Sequence, residues 1–127
     1  MDTWILMLAT DLLIPIIMIA FGLYFKKNTP KKINPFYGYR TSMSMKNMDT
    51  WDFAHKYSGK LFSIYGLAML PVSVFPLLFV WGKDPDTIAV VGLVVCICQV
   101  ILLFVPIVHT EKALKKTFDK DGNRIAK

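Results

Sequence analysis

The chain has 127 residues, a formal net charge of +6 and 54% hydrophobic side chains, which is enough length for one domain. The hydrophobic residues stand in continuous blocks and do not alternate with polar ones at helix or strand spacing, which argues against a soluble globular domain. The basic residues lie in segments beside these blocks. That pattern is typical of membrane topology and attraction to anionic headgroups, so no nucleic-acid partner is predicted.

Three blocks are long enough to cross a bilayer core of ~30 Å, which takes about 20 helical residues. They are residues 4–25, 61–81 and 88–108. Lysine and arginine are nearly absent before the first block and between the last two, but residues 26–60 hold eight and residues 109–127 hold six. The positive-inside rule therefore predicts a multi-pass protein of the cell membrane, with the N-terminus outside and the C-terminus in the cytoplasm.

The predicted fold is an all-α membrane protein. Residues 1–118 are expected to form one domain with three transmembrane helices, and an interfacial cytoplasmic segment should separate the first helix from the second. Residues 119–127 should form a polar cytoplasmic tail. A cleaved signal peptide is not expected, because lysines follow the first block where a small-residue cleavage site would stand.

Two strongly polar side chains, Asp11 and Gln99, fall within the predicted spans. A carboxylate inside a bilayer is costly and therefore suggests a function. The alternative is that Asp11 lies close enough to the outer surface to reach water or a polar neighbour. The two interpretations carry about equal weight here.

A polar and aromatic segment between the first two blocks, residues 34–60, is here called the box. It reads NPFYGYRTSMSMKNMDTWDFAHKYSGK. Asn47 is predicted to cap the second helix, because its side chain can accept a hydrogen bond from a free N–H of the first turn. Gly59 and Gly66 are places where this long helix could bend.

The box resembles the SdpI family of small bacterial membrane proteins. The resemblance rests on a series of residue types at the family's spacing, namely Gly38-Tyr39-Arg40-Thr41, Ser44, Asn47, Trp51, Ala54-His55 and Gly59-Lys60. The family takes its name from an immunity protein that protects a producing cell from its own secreted antimicrobial peptide and sequesters a transcriptional repressor at the membrane. That protein carries further membrane segments before the shared domain, so the resemblance does not by itself imply immunity or sequestration.

Arg40 has a guanidinium fork that suits a carboxylate or a phosphate. Its partner could be a lipid headgroup, a peptide C-terminus or an acidic residue of another protein. The favoured alternative is an internal ion pair with Asp49 or Asp52, since an unpaired buried charge is costly. The predicted ligand- or partner-binding residues are Tyr39, Arg40, Thr41, Asn47, Trp51, Asp52 and His55.

Helical spacing places Trp51 and His55 on one face of the second helix, with Asp52 beside it. Trp51 either clamps a ligand or anchors the chain at the membrane interface. Asp52 and His55 could form a metal or acid–base site with His109 and Glu111, which should lie at a similar depth. The spacing matches no known metal signature, so no metal and no cofactor are predicted. The simpler alternative is a hydrogen bond between His55 and Asp52 that ties helices together.

The leading hypothesis is a non-catalytic membrane protein that binds a peptide, lipid or protein partner in antimicrobial-peptide immunity or signal relay. The partners considered are the lipid bilayer, an antimicrobial peptide, a cytoplasmic regulator and a second copy of the chain. The alternative is a small oligomeric transporter or proton-coupled channel that uses Asp11 and the region of His55. An enzyme is not predicted, because the sequence has no nucleophile elbow, Walker loop or zinc signature.

Overall fold

The computed structural model describes residues 2–125, and these form three α-helices. They are α1 (Asp2–Lys27), α2 (Met48–Phe79) and α3 (Pro85–Thr117). Each helix is long and apolar enough to cross a membrane. The predicted all-α fold with three transmembrane helices is therefore confirmed. Met1, at the start of the predicted domain, and residues 126–127, at the end of the predicted tail, lie outside the described residues.

The connections place two irregular segments at one end of the bundle. Residues 28–47 join α1 to α2 there, and residues 118–125 follow α3 at the same end. At the opposite end a short turn, residues 80–84, joins α2 to α3. At 1.5 Å per residue, the 32 residues of α2 span about 48 Å. Since this exceeds the bilayer core of ~30 Å, we expect the charged first turns of α2 to project beyond it.

The start of α2 is fixed by a capping box. The Asn47 side chain accepts a hydrogen bond from the Thr50 backbone N–H at 2.9 Å, and the Thr50 hydroxyl accepts one from the Asn47 N–H at 3.1 Å. Two backbone donors at the helix start are thereby satisfied. The predicted capping role of Asn47 is confirmed.

Glycines bring α1 and α2 into close contact. A Cβ atom at Gly22 would lie 2.5 Å from the carbonyl oxygen of Gly59, and one at Gly59 would lie 2.8 Å from the Lys26 nitrogen. A Cβ at Gly66 would lie 2.9 Å from the Pro15 carbonyl oxygen. Small residues at such positions let membrane helices approach closely. Gly59 and Gly66, which the sequence offers as places where α2 could bend, both lie at contacts with α1.

Large apolar side chains cover the outer faces of all three helices. Leu6, Val72 and Ile101 are each more than 60% exposed. The buried apolar core is small by comparison, and its central part comprises Met18, Tyr39, Ala54, Phe62, Met69, Leu114 and Phe118. In a bilayer the lipid chains would cover these outer faces, which is why a helix in this fold need not be amphipathic.

We expect Gly59→Ala to lower the thermal stability of the protein in detergent by about 1–3 kcal/mol, because the added methyl group meets backbone atoms of α1 that cannot rotate away. Gly92→Ala is the matched control, since a methyl group there meets only the side chain of Met7. Both changes gain the same helix propensity. Thermal unfolding followed by circular dichroism should show the larger loss for Gly59→Ala. Equal melting temperatures would contradict the close contact between α1 and α2.

Candidate functional site

Trp51 holds the segment between α1 and α2 against the start of α2. Its side chain is fully buried, and the indole Nε1 donates a hydrogen bond to the carbonyl oxygen of Pro30 at 2.9 Å. The ring also packs against the imidazole of His55, with 4.4 Å between ring centroids. A residue packed in this way cannot clamp a ligand from outside. Trp51 is therefore a structural anchor within the fold.

His55 connects α2 to the box through both ring nitrogens. Nδ1 lies 2.8 Å from the carbonyl oxygen of Trp51, and Nε2 accepts the backbone N–H of Tyr39 at 2.9 Å. A carbonyl oxygen can only accept, so Nδ1 carries the hydrogen, and Nε2 must be free to accept the Tyr39 N–H. These two bonds define a neutral imidazole in a single tautomer.

The backbone of Gly38 passes close to this imidazole. Its φ of +103° is a conformation that side chains rarely adopt, and a Cβ there would lie 2.5 Å from His55 Nε2. Glycine is thus required for the approach of the neighbouring Tyr39 N–H to the ring. The sequence shows the glycine, but only the fold shows that the His55 imidazole lies against it.

Tyr39 and Thr41 join the box to α3 through one carboxylate. The Tyr39 hydroxyl donates to Glu111 Oε2 at 2.6 Å, and the Thr41 hydroxyl donates to the same oxygen at 2.9 Å. Burial, followed by the hydrogen bond to the neighbouring Glu111 carboxylate, raises the pKa of Tyr39 above its usual value. The phenol therefore stays protonated and remains a donor. Glu111 thus contacts two of the residues predicted for the binding site.

Ser44 and Asn47 complete the internal bonding of the box. The Ser44 hydroxyl accepts the Thr41 N–H at 2.8 Å. The Asn47 side-chain amide donates to the carbonyl oxygen of Gly122 at 2.7 Å, which ties the residues after α3 to the start of α2. The Trp51 indole and the Asn47 amide nitrogen both donate to backbone carbonyls, which no sequence motif marks.

Arg40 forms neither of the internal ion pairs considered for it. Asp49 is paired with Arg124, which donates from Nε and from an Nη to the two carboxylate oxygens at 2.8 Å each. Asp52 is paired with Lys56 at 2.9 Å, one turn along α2. Arg40 is exposed and donates to the carbonyl oxygen of Pro35. The prediction of an internal ion pair for Arg40 is therefore wrong, and Arg40 belongs to the surface of the box.

The possible metal or acid–base group at the ends of α2 and α3 does not assemble. Among residues 2–125, no three His, Cys, Asp or Glu side chains come together as metal ligands. His109 is exposed, and Glu111 is engaged by the box. The hydrogen bond considered between His55 and Asp52 does not form, because His55 bonds to Trp51 and Tyr39 instead.

An open groove lies where α1 ends and the box begins, and it is lined by lysines and aromatic rings. Its cavity is about 670 Å³, and we call it the basic groove. The side chains that define it are Lys27, Lys31, Lys32, Tyr24, Phe36 and Tyr37. No carboxylate is among the described residues that line it. The three lysines and three rings are all exposed, so the groove presents positive charge beside apolar surface.

The structure brings together the two polar residues predicted within the spans. The Gln99 amide nitrogen donates to the backbone carbonyl of Asp11 and to the Ser73 hydroxyl, each at 2.5 Å. Asp11 has no exposed surface and so does not reach water, but a polar neighbour, Gln99, contacts its backbone carbonyl. Asp11, Ser73 and Gln99 are here called the intramembrane polar cluster. Ser73 was missed in the sequence, since a serine in a span is too common to signal a site.

We expect Tyr39→Phe to destabilise the protein by about 2 kcal/mol, because it removes a hydrogen bond to a charged carboxylate. Tyr37→Phe is the matched control, since the Tyr37 side chain is 53% exposed at the surface of the same segment. Thermal unfolding in detergent would measure both changes. Equal stability of the two variants would show that the bond to Glu111 does not hold the box on α3.

Comparisons with known proteins give matches at the level of sequence. The sequence model of the SdpI/YfhL protein family matches residues 31–110, which is more than half of the chain. The chain is also 32% identical over 109 residues to "Uncharacterized protein YfhL" of Bacillus subtilis (strain 168), an alignment that covers 85% of this chain and 89% of that protein. No solved structure matches it. The chain belongs to the SdpI/YfhL family.

Proposed function

We propose that this protein is a non-catalytic protein of the bacterial cell membrane that binds a partner in antimicrobial-peptide immunity or signal relay. In this proposal the N-terminus is outside the cell, and the box lies at the cytoplasmic surface. The excess of lysine and arginine in residues 26–60 and 109–127 supports that orientation. Family membership supports a membrane role of this type.

The observation that carries the proposal is the division of the box into an internal and an external part. Tyr39, Thr41, Trp51 and His55 all bond within the fold. Among the predicted binding residues, Arg40 is the one that is exposed, and the basic groove lies beside it. A surface with several cations and no carboxylate lining the groove suits recognition of an anionic group.

The anionic group can come from either of two sources. One is the headgroup of an anionic lipid, which attracts lysines near the membrane surface. The other is an acidic segment of a partner protein or peptide. The exposed rings of Tyr24, Phe36 and Tyr37 favour a position at the membrane interface, where aromatic side chains are enriched. Both sources would use the same lysines.

We expect replacement of Lys27, Lys31 and Lys32 together by glutamine to weaken binding of an anionic partner roughly 10- to 100-fold, because each lysine adds to the attraction near the surface. Lys112, Lys115 and Lys116 replaced together by glutamine form the matched control. They are exposed at the same end of the bundle and carry the same charge, but do not line the groove. Native mass spectrometry of the gently extracted proteins, with phosphatidylglycerol or phosphatidylethanolamine added, would measure the binding.

The pattern of bound masses distinguishes the two sources. Loss of phosphatidylglycerol adducts only in the groove variant would identify a lipid headgroup. Loss of a co-extracted peptide or protein would identify an acidic partner, and a protection assay in cells could then use the same variants. Equal retention of every adduct by the groove variant and the wild type would refute the basic groove as the binding surface.

The intramembrane polar cluster favours a second candidate function, a small oligomeric transporter or proton-coupled channel. Asp11 is completely buried in a predicted span, and both of its carboxylate oxygens lack a hydrogen-bond partner among the described residues. Such residues commonly mark proton relays in membrane proteins. In this second candidate function the proton-binding group is the Asp11 carboxyl, which lies on α1, the helix that also carries Lys27 of the basic groove.

In liposomes, Asp11→Asn should abolish proton flux if this second candidate is correct, because an amide cannot release a proton at physiological pH. Asp86→Asn is the control, since Asp86 is an exposed carboxylate at the start of α3. A pH-sensitive dye trapped in the vesicles would measure the flux. Flux that persists in Asp11→Asn, or is absent from the wild type, would remove the transport hypothesis.

A further inference from the structure

Two residues of the intramembrane polar cluster, Asp11 and Gln99, carry three buried hydrogen-bond acceptors without partners. Among residues 2–125, the buried side-chain atoms without a partner are both carboxylate oxygens of Asp11, the amide oxygen of Gln99 and the hydroxyl of Ser58. The first three belong to two residues that are bonded to each other. Unsatisfied polar atoms are rare in a folded interior, so their concentration at one place requires an explanation.

Every side-chain hydrogen in the cluster is already used. The Gln99 amide nitrogen must face the Asp11 carbonyl, because a carbonyl oxygen only accepts, and this fixes the orientation of the amide. Its two hydrogens bond the Asp11 carbonyl and the Ser73 hydroxyl. The Ser73 hydroxyl in turn donates to the Met69 carbonyl at 2.7 Å. The cluster therefore has three free acceptors and no free donor.

The surrounding spans supply no positive charge to balance Asp11. Residues 61–79 of α2 and 88–108 of α3 contain no Lys, Arg, His, Asp or Glu. Their ionisable side chains are Tyr65, Cys96 and Cys98, and neither a phenol nor a thiol can carry a positive charge. An ionised carboxylate that is buried without a partner is strongly disfavoured, and such a group takes up a proton instead.

We propose that the buried carboxyl group of Asp11 is a proton-binding site within the membrane, on a backbone held by Gln99 and Ser73. Asp11 carries the proton as a neutral carboxylic acid, and its hydroxyl is the donor that the cluster otherwise lacks. Gln99 positions the site by bonding to the Asp11 backbone, and Ser73 holds Gln99 from α2. The inference deepens the second candidate function, but the site binds its proton whether or not the protein carries flux.

A cavity of about 320 Å³ between α2 and α3 borders the cluster. Ser73 and Gln99 line it together with apolar residues that include Val94 and Cys98. Asp11 is not among the residues that line this cavity, and its side chain has no exposed surface.

The test is infrared difference spectroscopy of the reconstituted protein against Asp11→Asn, which nearly preserves the size of the side chain. At neutral pH the wild type should show the carbonyl stretch of a protonated carboxylic acid, and the variant should lack it. Transfer to heavy water should shift this band, because a bound proton exchanges. Circular dichroism of both proteins confirms that the comparison is made between folded chains, and Asp86→Asn should leave the band unchanged.

Three results would overturn the site. An ionised Asp11 carboxylate at neutral pH would contradict the bound proton. An ionised band that appears only with sodium, and not with choline, would assign a metal cation in place of the proton. A protonated band that never shifts in heavy water would show a fixed structural hydrogen. Each measurement is made on the resting protein, so it can fail or succeed independently of the flux experiment.

Discussion

Tyr39 makes the contacts on which the box end of the structure depends. Its backbone N–H bonds to His55 on α2, and its hydroxyl bonds to Glu111 on α3. One residue of an irregular segment thereby joins α2 and α3 at positions that are far apart in the sequence. Gly38 allows this position through its positive φ, and the buried ring of Tyr39 adds apolar contact. The basic groove, which is lined by the end of α1 and by residues just before Tyr39, adjoins a segment fixed in this way.

Polar contacts matter more here than they would in a soluble bundle. Lipid chains are as apolar as leucine, so burying leucine between membrane helices gains little, and close packing and hydrogen bonds hold the helices instead. α1 and α2 meet through glycine backbones at Gly22 and Gly59. α3 is bonded at two depths, through Gln99 to α1 and α2 and through Glu111 to the box. The polar residues of the spans are therefore part of the scaffold as well as candidates for function.

The fold was predictable from the sequence because hydropathy is a local property. The three apolar blocks predicted three helices, and the cap at Asn47 depends on Thr50 only three residues away. The roles of the box residues were not predictable in the same way. Asp49 was expected to pair with nearby Arg40, but it pairs with Arg124, which lies 75 residues along the chain. Trp51 bonds to a backbone carbonyl, and such a group has no signature in sequence.

The two candidate sites share α1 but lie at different depths. Asp11 and Lys27 are sixteen residues apart, which is about 24 Å along a helix axis. A change at one site could reach the other by movement of α1 against α2. The contacts at Gly22 and Gly59 oppose such sliding, because backbone atoms there are already within reach of a single added methyl group. The close packing of α1 on α2 therefore opposes coupling between the proposed proton site at Asp11 and the basic groove, and such coupling would require α1 and α2 to separate.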